Sequence, residues 1–226
     1  MILKTLGLLC LITIVGLSAC SITDASNAVS SQSDGLPPAE ESPAASNSSE
    51  TLLTSEEDSL KSLITDFASS TESAQWRTVD DNVMGGLSQG NLSITEDSTG
   101  LFSGTISLEN NGGFSSVRLD VDGLEMGLDD AIALRIKGDG RQYQFRLKMD
   151  ISDRAISYRA EFDTTAGEWT TVSLPLISFE PVFRGRVVAD AAPLVPSEVK
   201  EIGLLLASKQ DGEFELEVDW IRVDSP

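Results

Sequence analysis

From Trp76 onward the chain alternates, with large apolar residues at every second position and polar or charged residues between them. A period of two marks half-buried strands. Thr105-Ile106-Ser107-Leu108, Val117-Arg118-Leu119-Asp120-Val121, Ile132-Ala133-Leu134-Arg135-Ile136-Lys137 and Tyr143-Gln144-Phe145-Arg146-Leu147-Lys148-Met149 carry it, as do residues 156–162, 169–174, 202–206 and 214–221. Asn110-Asn111-Gly112-Gly113, Gly138-Asp139-Gly140, Thr164-Thr165-Ala166-Gly167 and Gln210-Asp211-Gly212 lie between these runs and have turn composition. About eight short strands at roughly 10–15-residue spacing, with no helical period among them, predict an all-β fold of two antiparallel sheets packed as a sandwich.

The same alternation predicts where side chains point. Glu213, Glu215, Glu217 and Asp219 interleave with Phe214, Leu216, Val218 and Trp220, so the carboxylates are expected in water and the apolar residues, Trp220 included, against the other sheet. Trp169, which opens an alternating run, is likewise expected in the core. Arg135, Lys137, Arg146 and Lys148 are expected to form an outer face that pairs with acids across strands.

Upstream, the pattern changes twice. Residues 1–20 hold a lone Lys4, an apolar run over 6–19 and then Leu17-Ser18-Ala19-Cys20, the layout of a secretory signal peptide. That run falls short of the roughly 20 apolar residues a spanning helix needs. Cysteine at the cut resembles a bacterial lipobox, which implies lipidation of Cys20. Residues 21–59 are Ser, Ala, Asn, Pro and acid, too polar to bury a core. Pro37-Pro38, Glu40-Glu41, Pro43 and Glu56-Glu57-Asp58 keep this stretch extended, a tether with a root-mean-square span on the order of 35 Å. Residues 60–226 then form one folded domain, whose opening Leu63-Ile64-Thr65-Asp66-Phe67 fits either a helical face or a short strand. The expected location is the extracytoplasmic side of a membrane in the cell envelope. Ser21 resembles the sorting signal for the outer membrane.

Composition removes whole classes of chemistry. The chain has no histidine, which excludes Ser-His-Asp and Cys-His catalysis and histidine-ligated zinc. Its two cysteines, Cys10 in the apolar run and Cys20 at the cut, leave the folded domain without a disulfide. With 36 acidic against 16 basic residues and a net charge of −20, a nucleic-acid partner is not expected. The catalytic design left open is a carboxylate pair drawn from Asp80 or Asp81 with Asp139 or Glu168. Calcium at Asp80, Asp81 or Asn82 is chemically reasonable, but no spaced ligand motif supports it, so neither a cofactor nor a metal is expected.

Two segments depart from strand and simple turn. Asp80-Asp81-Asn82-Val83-Met84-Gly85-Gly86-Leu87-Ser88 sets paired acids beside paired glycines, and Asn110-Asn111-Gly112-Gly113-Phe114-Ser115-Ser116-Val117-Arg118 follows it. Together with Trp76, Gly138-Asp139-Gly140-Arg141 and Tyr143, Tyr158 and Phe162, Trp169, Pro175 and Phe179, Arg184-Gly185-Arg186, Ile202-Gly203 and Gln210-Asp211-Gly212-Glu213-Phe214, they occur in an order that resembles the complex I intermediate-associated protein 30 family. The resemblance covers residues 63–223. It implies a galactose-binding-like jelly roll, a first strand over residues 63–67, and a part in assembling membrane complexes.

A membrane-tethered, non-catalytic binding module follows as the expected function, an assembly factor or chaperone for a protein client. The alternative is a carbohydrate-binding envelope protein, since folds of this kind often hold glycans on their loops. The candidate surface is Asp81, Asn82, Met84, Gly85, Gly86, Ser88, Asn111, Gly112, Gly113 and Phe114, with Arg184 and Arg186. The glycines also fit positive-φ turns, Gly86 among them, and Arg118 a structural ion pair.

Overall fold

The computed structural model describes residues 63–69, 71–152 and 155–226. Cys20, the signal segment and the tether lie outside them.

Among the described residues, thirteen strands build two antiparallel sheets. One has the order β3 (Gln89–Ile94), β4 (Gly100–Ile106), β13 (Gly212–Asp224), β6 (Ala131–Gly138) and β9 (Trp169–Pro175), with β1 (Leu63–Thr65) pairing to β13. The other has the order β11 (Arg186–Val187), β10 (Glu180–Phe183), β8 (Ser157–Asp163), β7 (Gln142–Lys148), β12 (Glu201–Ala207), β5 (Phe114–Asp120) and β2 (Trp76–Asp80). The described helical segments are 3-10 turns of three or four residues. This is the two-sheet sandwich that the alternation predicts, in the galactose-binding-like jelly-roll form that the resemblance implies.

Alternate residues of both sheets meet between them. Phe102, Ile132, Leu134, Ile136 and Leu216 from the first sheet, with Val117, Phe145, Leu147, Ile202 and Leu204 from the second, are fully buried. Phe67, just past β1, is also fully buried and stacks on Trp76 with ring centroids 6.0 Å apart. The first strand is thus shorter than the 63–67 expected, ending at Thr65, and Phe67 at φ 57° closes the core beneath the first tryptophan.

Three side chains depart from simple alternation. A β-bulge between Val218 and Trp220 shifts the register of β13 against β6, so Trp220 lies half-buried beneath Arg222, whose guanidinium is 4.5 Å from the ring centroid, rather than in the core. Glu217 is buried on the outer face, where it pairs with Lys137 and accepts the Thr99 hydroxyl at 2.7 Å. Trp169 sits on an edge strand and is 38% exposed, with Lys137 Nζ 5.0 Å and the Arg135 guanidinium 5.5 Å from its ring.

Candidate functional site

Asp81 organises one end of the sandwich. It is 1% exposed, at the start of the 3-10 turn Asp81–Met84. Its Oδ2 accepts the Ser88 hydroxyl at 2.5 Å, the Gly113 N–H at 2.6 Å and the Phe114 N–H at 3.2 Å, while Oδ1 accepts the Ser88 N–H at 2.9 Å. Burial pushes this carboxyl up, but the Ser88 hydroxyl and the three N–H groups outweigh it and hold the pKa below the usual 3.8. Gly86 and Gly112 complete the pocket, since a Cβ on either would overlap the Asp81 carboxylate.

That packing sorts the sequence candidates. Asp81, Gly86, Ser88 and Gly113 are buried, so they position the loops rather than offer a contact surface. The paired glycines also divide their roles: Gly85 is the one at positive φ, +90°, whereas Gly86 is required by its approach to Asp81. Asn82 and Gly85 are exposed and Gly112 is half-buried. Asn110 and Asn111 occupy left-handed conformations at φ 57° and 60°, and the Asn110 side chain donates to Gly85 O at 3.1 Å, binding the two loops together.

Across the sheet from these loops stands a hairpin. β10 and β11 are joined by Arg184 and Gly185 at φ 48° and 76°, consecutive positive values that give a tight two-residue turn. Arg184 lies over the Phe183 ring at 5.5 Å, and Arg186 is exposed on β11.

Between loop and hairpin, the outer face of the seven-stranded sheet forms a groove of about 570 Å³. Val83, Met84, Asn111 and Phe114 lie along one side, and Phe183 and Arg184 along the other. Val83 and Met84 are 69% and 63% exposed. The sequence candidates Met84, Asn111, Phe114 and Arg184 thus meet around a floor that the loop motifs did not reveal.

Arg118, Arg146, Lys148 and Glu201 furnish that floor. Glu201 is 2% exposed and takes Arg77 at 2.7 Å, Lys148 at 3.4 Å and Arg118 at 3.8 Å. Arg118 is therefore ion-paired, as its strand position predicts. Arg146 donates to Gln144 Oε1 at 2.5 and 3.2 Å and to Ser157 Oγ at 2.8 Å. Among the described residues, the charged groups lining the groove are Arg118, Arg146, Lys148 and Arg184 with the carboxylate Glu201, within a chain of net charge −20.

Three of the carboxylates considered for catalysis, Asp80, Asp81 and Asp139, have other partners. Asp80 accepts the Ser115 hydroxyl at 2.6 Å and Gly90 N–H at 3.2 Å, and Asp139 accepts Arg141 N–H at 3.0 Å and Glu215 N–H at 3.1 Å. Among the described residues, no cluster of three or more Asp, Glu or Cys is placed to hold a metal ion.

A sandwich with an open groove across one sheet belongs to the class of antiparallel β-sandwich domains. Its sequence matches the profile of the complex I intermediate-associated protein 30 family over residues 65–218, and the chain belongs to that family. An uncharacterized protein of Schizosaccharomyces pombe is 30% identical over 167 residues, which cover 65% of this chain and 76% of that one. The mitochondrial complex I intermediate-associated protein 30 of Mus musculus is 28% identical over 169 residues, 66% of this chain and 52% of the mouse protein. The match therefore spans about half of the mouse protein's length. Among solved structures, a family 11 carbohydrate-binding module of Clostridium thermocellum, in complex with a β-1,3-1,4-mixed-linked tetrasaccharide, aligns with TM-score 0.54 at 16% identity, covering 73% of this chain and 95% of the module. At that identity the likeness is one of fold.

Proposed function

We propose that this chain is a non-catalytic binding module that uses the sheet groove to hold a protein client, as an assembly factor or chaperone for a membrane or envelope complex. The groove itself carries the reading: exposed aliphatic and thioether side chains, Val83 and Met84, border a polar, cationic floor. Exposed apolar side chains beside a concave surface are what protein interfaces use as anchors. Methionine in particular adapts to irregular partners. Family membership supports the same reading, because the mouse relative is named for association with a complex I intermediate. We further propose that Cys20 is lipidated and keeps the module on the extracytoplasmic side of a membrane, with residues 21–59 as its tether.

A glycan is the second reading, favoured by the long polar floor across the sheet. Aromatic platforms bear on it: the groove is bordered by Phe114 and Phe183, while the exposed Trp169 lies on the opposite sheet between Arg135 and Lys137.

Co-purification from detergent-solubilised membranes, run beside a glycan array, tests the choice. Wild-type protein should retain a defined protein that Met84→Glu loses, with no glycan bound. Glycan binding that Met84→Glu leaves intact, without a retained protein, would overturn the proposal.

A further inference from the structure

The registers of five neighbouring strands place a row of like charges across the groove. Arg77 on β2 pairs with Arg118 on β5, Arg118 with Gly203 on β12, Gly203 with Arg146 on β7, and Arg146 with Arg159 on β8. Directly opposed residues point to the same side of a sheet, and like charges so placed are destabilising unless compensated. Most of the row is compensated. Arg77 reaches Glu201 at 2.7 Å and Asp120 at 3.6 Å, Arg118 pairs with Glu201, and Arg159 pairs with Glu180 at 3.1 Å and Glu161 at 3.4 Å.

Arg146 differs, since its partners among the described residues, Gln144 and Ser157, are neutral. It stands beside Gly203, which has no side chain to cover β12. Burial, reinforced by Arg159 and Arg118, pulls Arg146 down to about 10, against a smaller opposing effect of Glu161. The guanidinium stays charged at neutral pH in a field that its neighbours make unfavourable. An arriving anion would relieve it.

We propose that the row spanning Arg118, Gly203 and Arg146 is a carboxylate-recognition site for an extended acidic segment of the protein client. The proposal rests on the protein-binding reading above and names the chemistry of the client. Arginine forks match the planar carboxylate in a two-point contact. Gly203 lets the ligand's backbone approach the sheet, and Val83 and Met84 suit aliphatic residues flanking the acid. Charge complementarity is local. A chain of net charge −20 repels acidic partners elsewhere, so this groove both admits the acid and sets its register.

Panning a random dodecapeptide display library on the full chain tests the site and requires no identified client. The expected peptides carry Asp or Glu flanked by aliphatic residues. A synthetic selected peptide should bind at least tenfold more weakly when its acid is replaced by the amide, and weaken as salt is raised. Arg146→Gln should cause a comparable loss at unchanged melting temperature. Should that variant melt early, Met84→Glu, on the exposed rim, places a repelling carboxylate beside the site and should cause the same loss. Enrichment of neutral or basic peptides, indifferent to Arg146→Gln and Met84→Glu, would overturn the carboxylate site while leaving protein binding standing. Failure to enrich any peptide would overturn the site, and if mixed-linkage glucan then bound, the protein-binding reading would fall with it.

Discussion

The Asp81 carboxylate accepts the Gly113 N–H at 2.6 Å and so fastens together two loops 32 residues apart. Removing it strands the N–H groups of Gly113, Phe114 and Ser88 in a buried pocket. Asp81→Ala should cost about 2–4 kcal/mol, with Asn82→Ala nearly neutral because that side chain is exposed. Thermal melts of the two variants check the contrast.

The same carboxylate gives the fold an acid limit. The folded pKa of Asp81 lies below the usual 3.8, so its contribution is present above the unfolded value and lost as pH falls through the folded one. Glu217 acts in the same direction: burial pushes it up, but bonds from Lys137 and Thr99 prevail and hold it below 4.5. Stability should decline as pH drops below about 4, and Asp81→Asn should flatten that decline. Urea titrations from pH 7 to pH 2 measure it.

The paired glycines should separate by mechanism. Gly85→Ala forces a left-handed residue, at about 1–2 kcal/mol whatever Asp81 is. Gly86→Ala instead meets the Asp81 carboxylate and should cost about 1–3 kcal/mol. In a double-mutant cycle, Asp81→Gly, which also removes the Cβ that a side chain at 86 would meet at 2.8 Å, should remove much of the Gly86 penalty and little of the Gly85 penalty.

The proposed anchoring turns on Cys20. Cys20→Ser should leave the protein unprocessed or released, because stable membrane residence needs two acyl chains or an equivalent second signal. Fractionation with mass spectrometry reads both, and an unmodified Cys20 on a mature soluble protein would contradict lipidation.

Those strands were legible whose core-facing residues are large and regularly spaced, such as β6, β7 and β12. β3 was not, because Gln-Gly-Asn-Leu-Ser-Ile buries only Leu92, and β10 and β11 are too short to show a period. Trp169 misled because an edge strand can carry an alternating sequence while burying little, and Trp220 because one bulge residue reverses the facing of all that follow. The loop motifs marked Asp81 and its glycines as special, but their burial depends on Ser88 and Gly113 arriving from elsewhere. The arginine row left no local signal. Each member is the one arginine of its own strand, and only the pairing of β2, β5, β12, β7 and β8 aligns them.

The groove as a protein-binding surface is tested most directly by site-specific photocrosslinking in living cells, with a benzophenone amino acid placed singly at Met84, Phe183 or Trp169. All three positions are exposed, but only the first two border the groove. The prediction is one discrete protein adduct, shared by Met84 and Phe183 and absent from Trp169. An adduct from Trp169 alone, or no protein adduct from either groove position, would contradict the account.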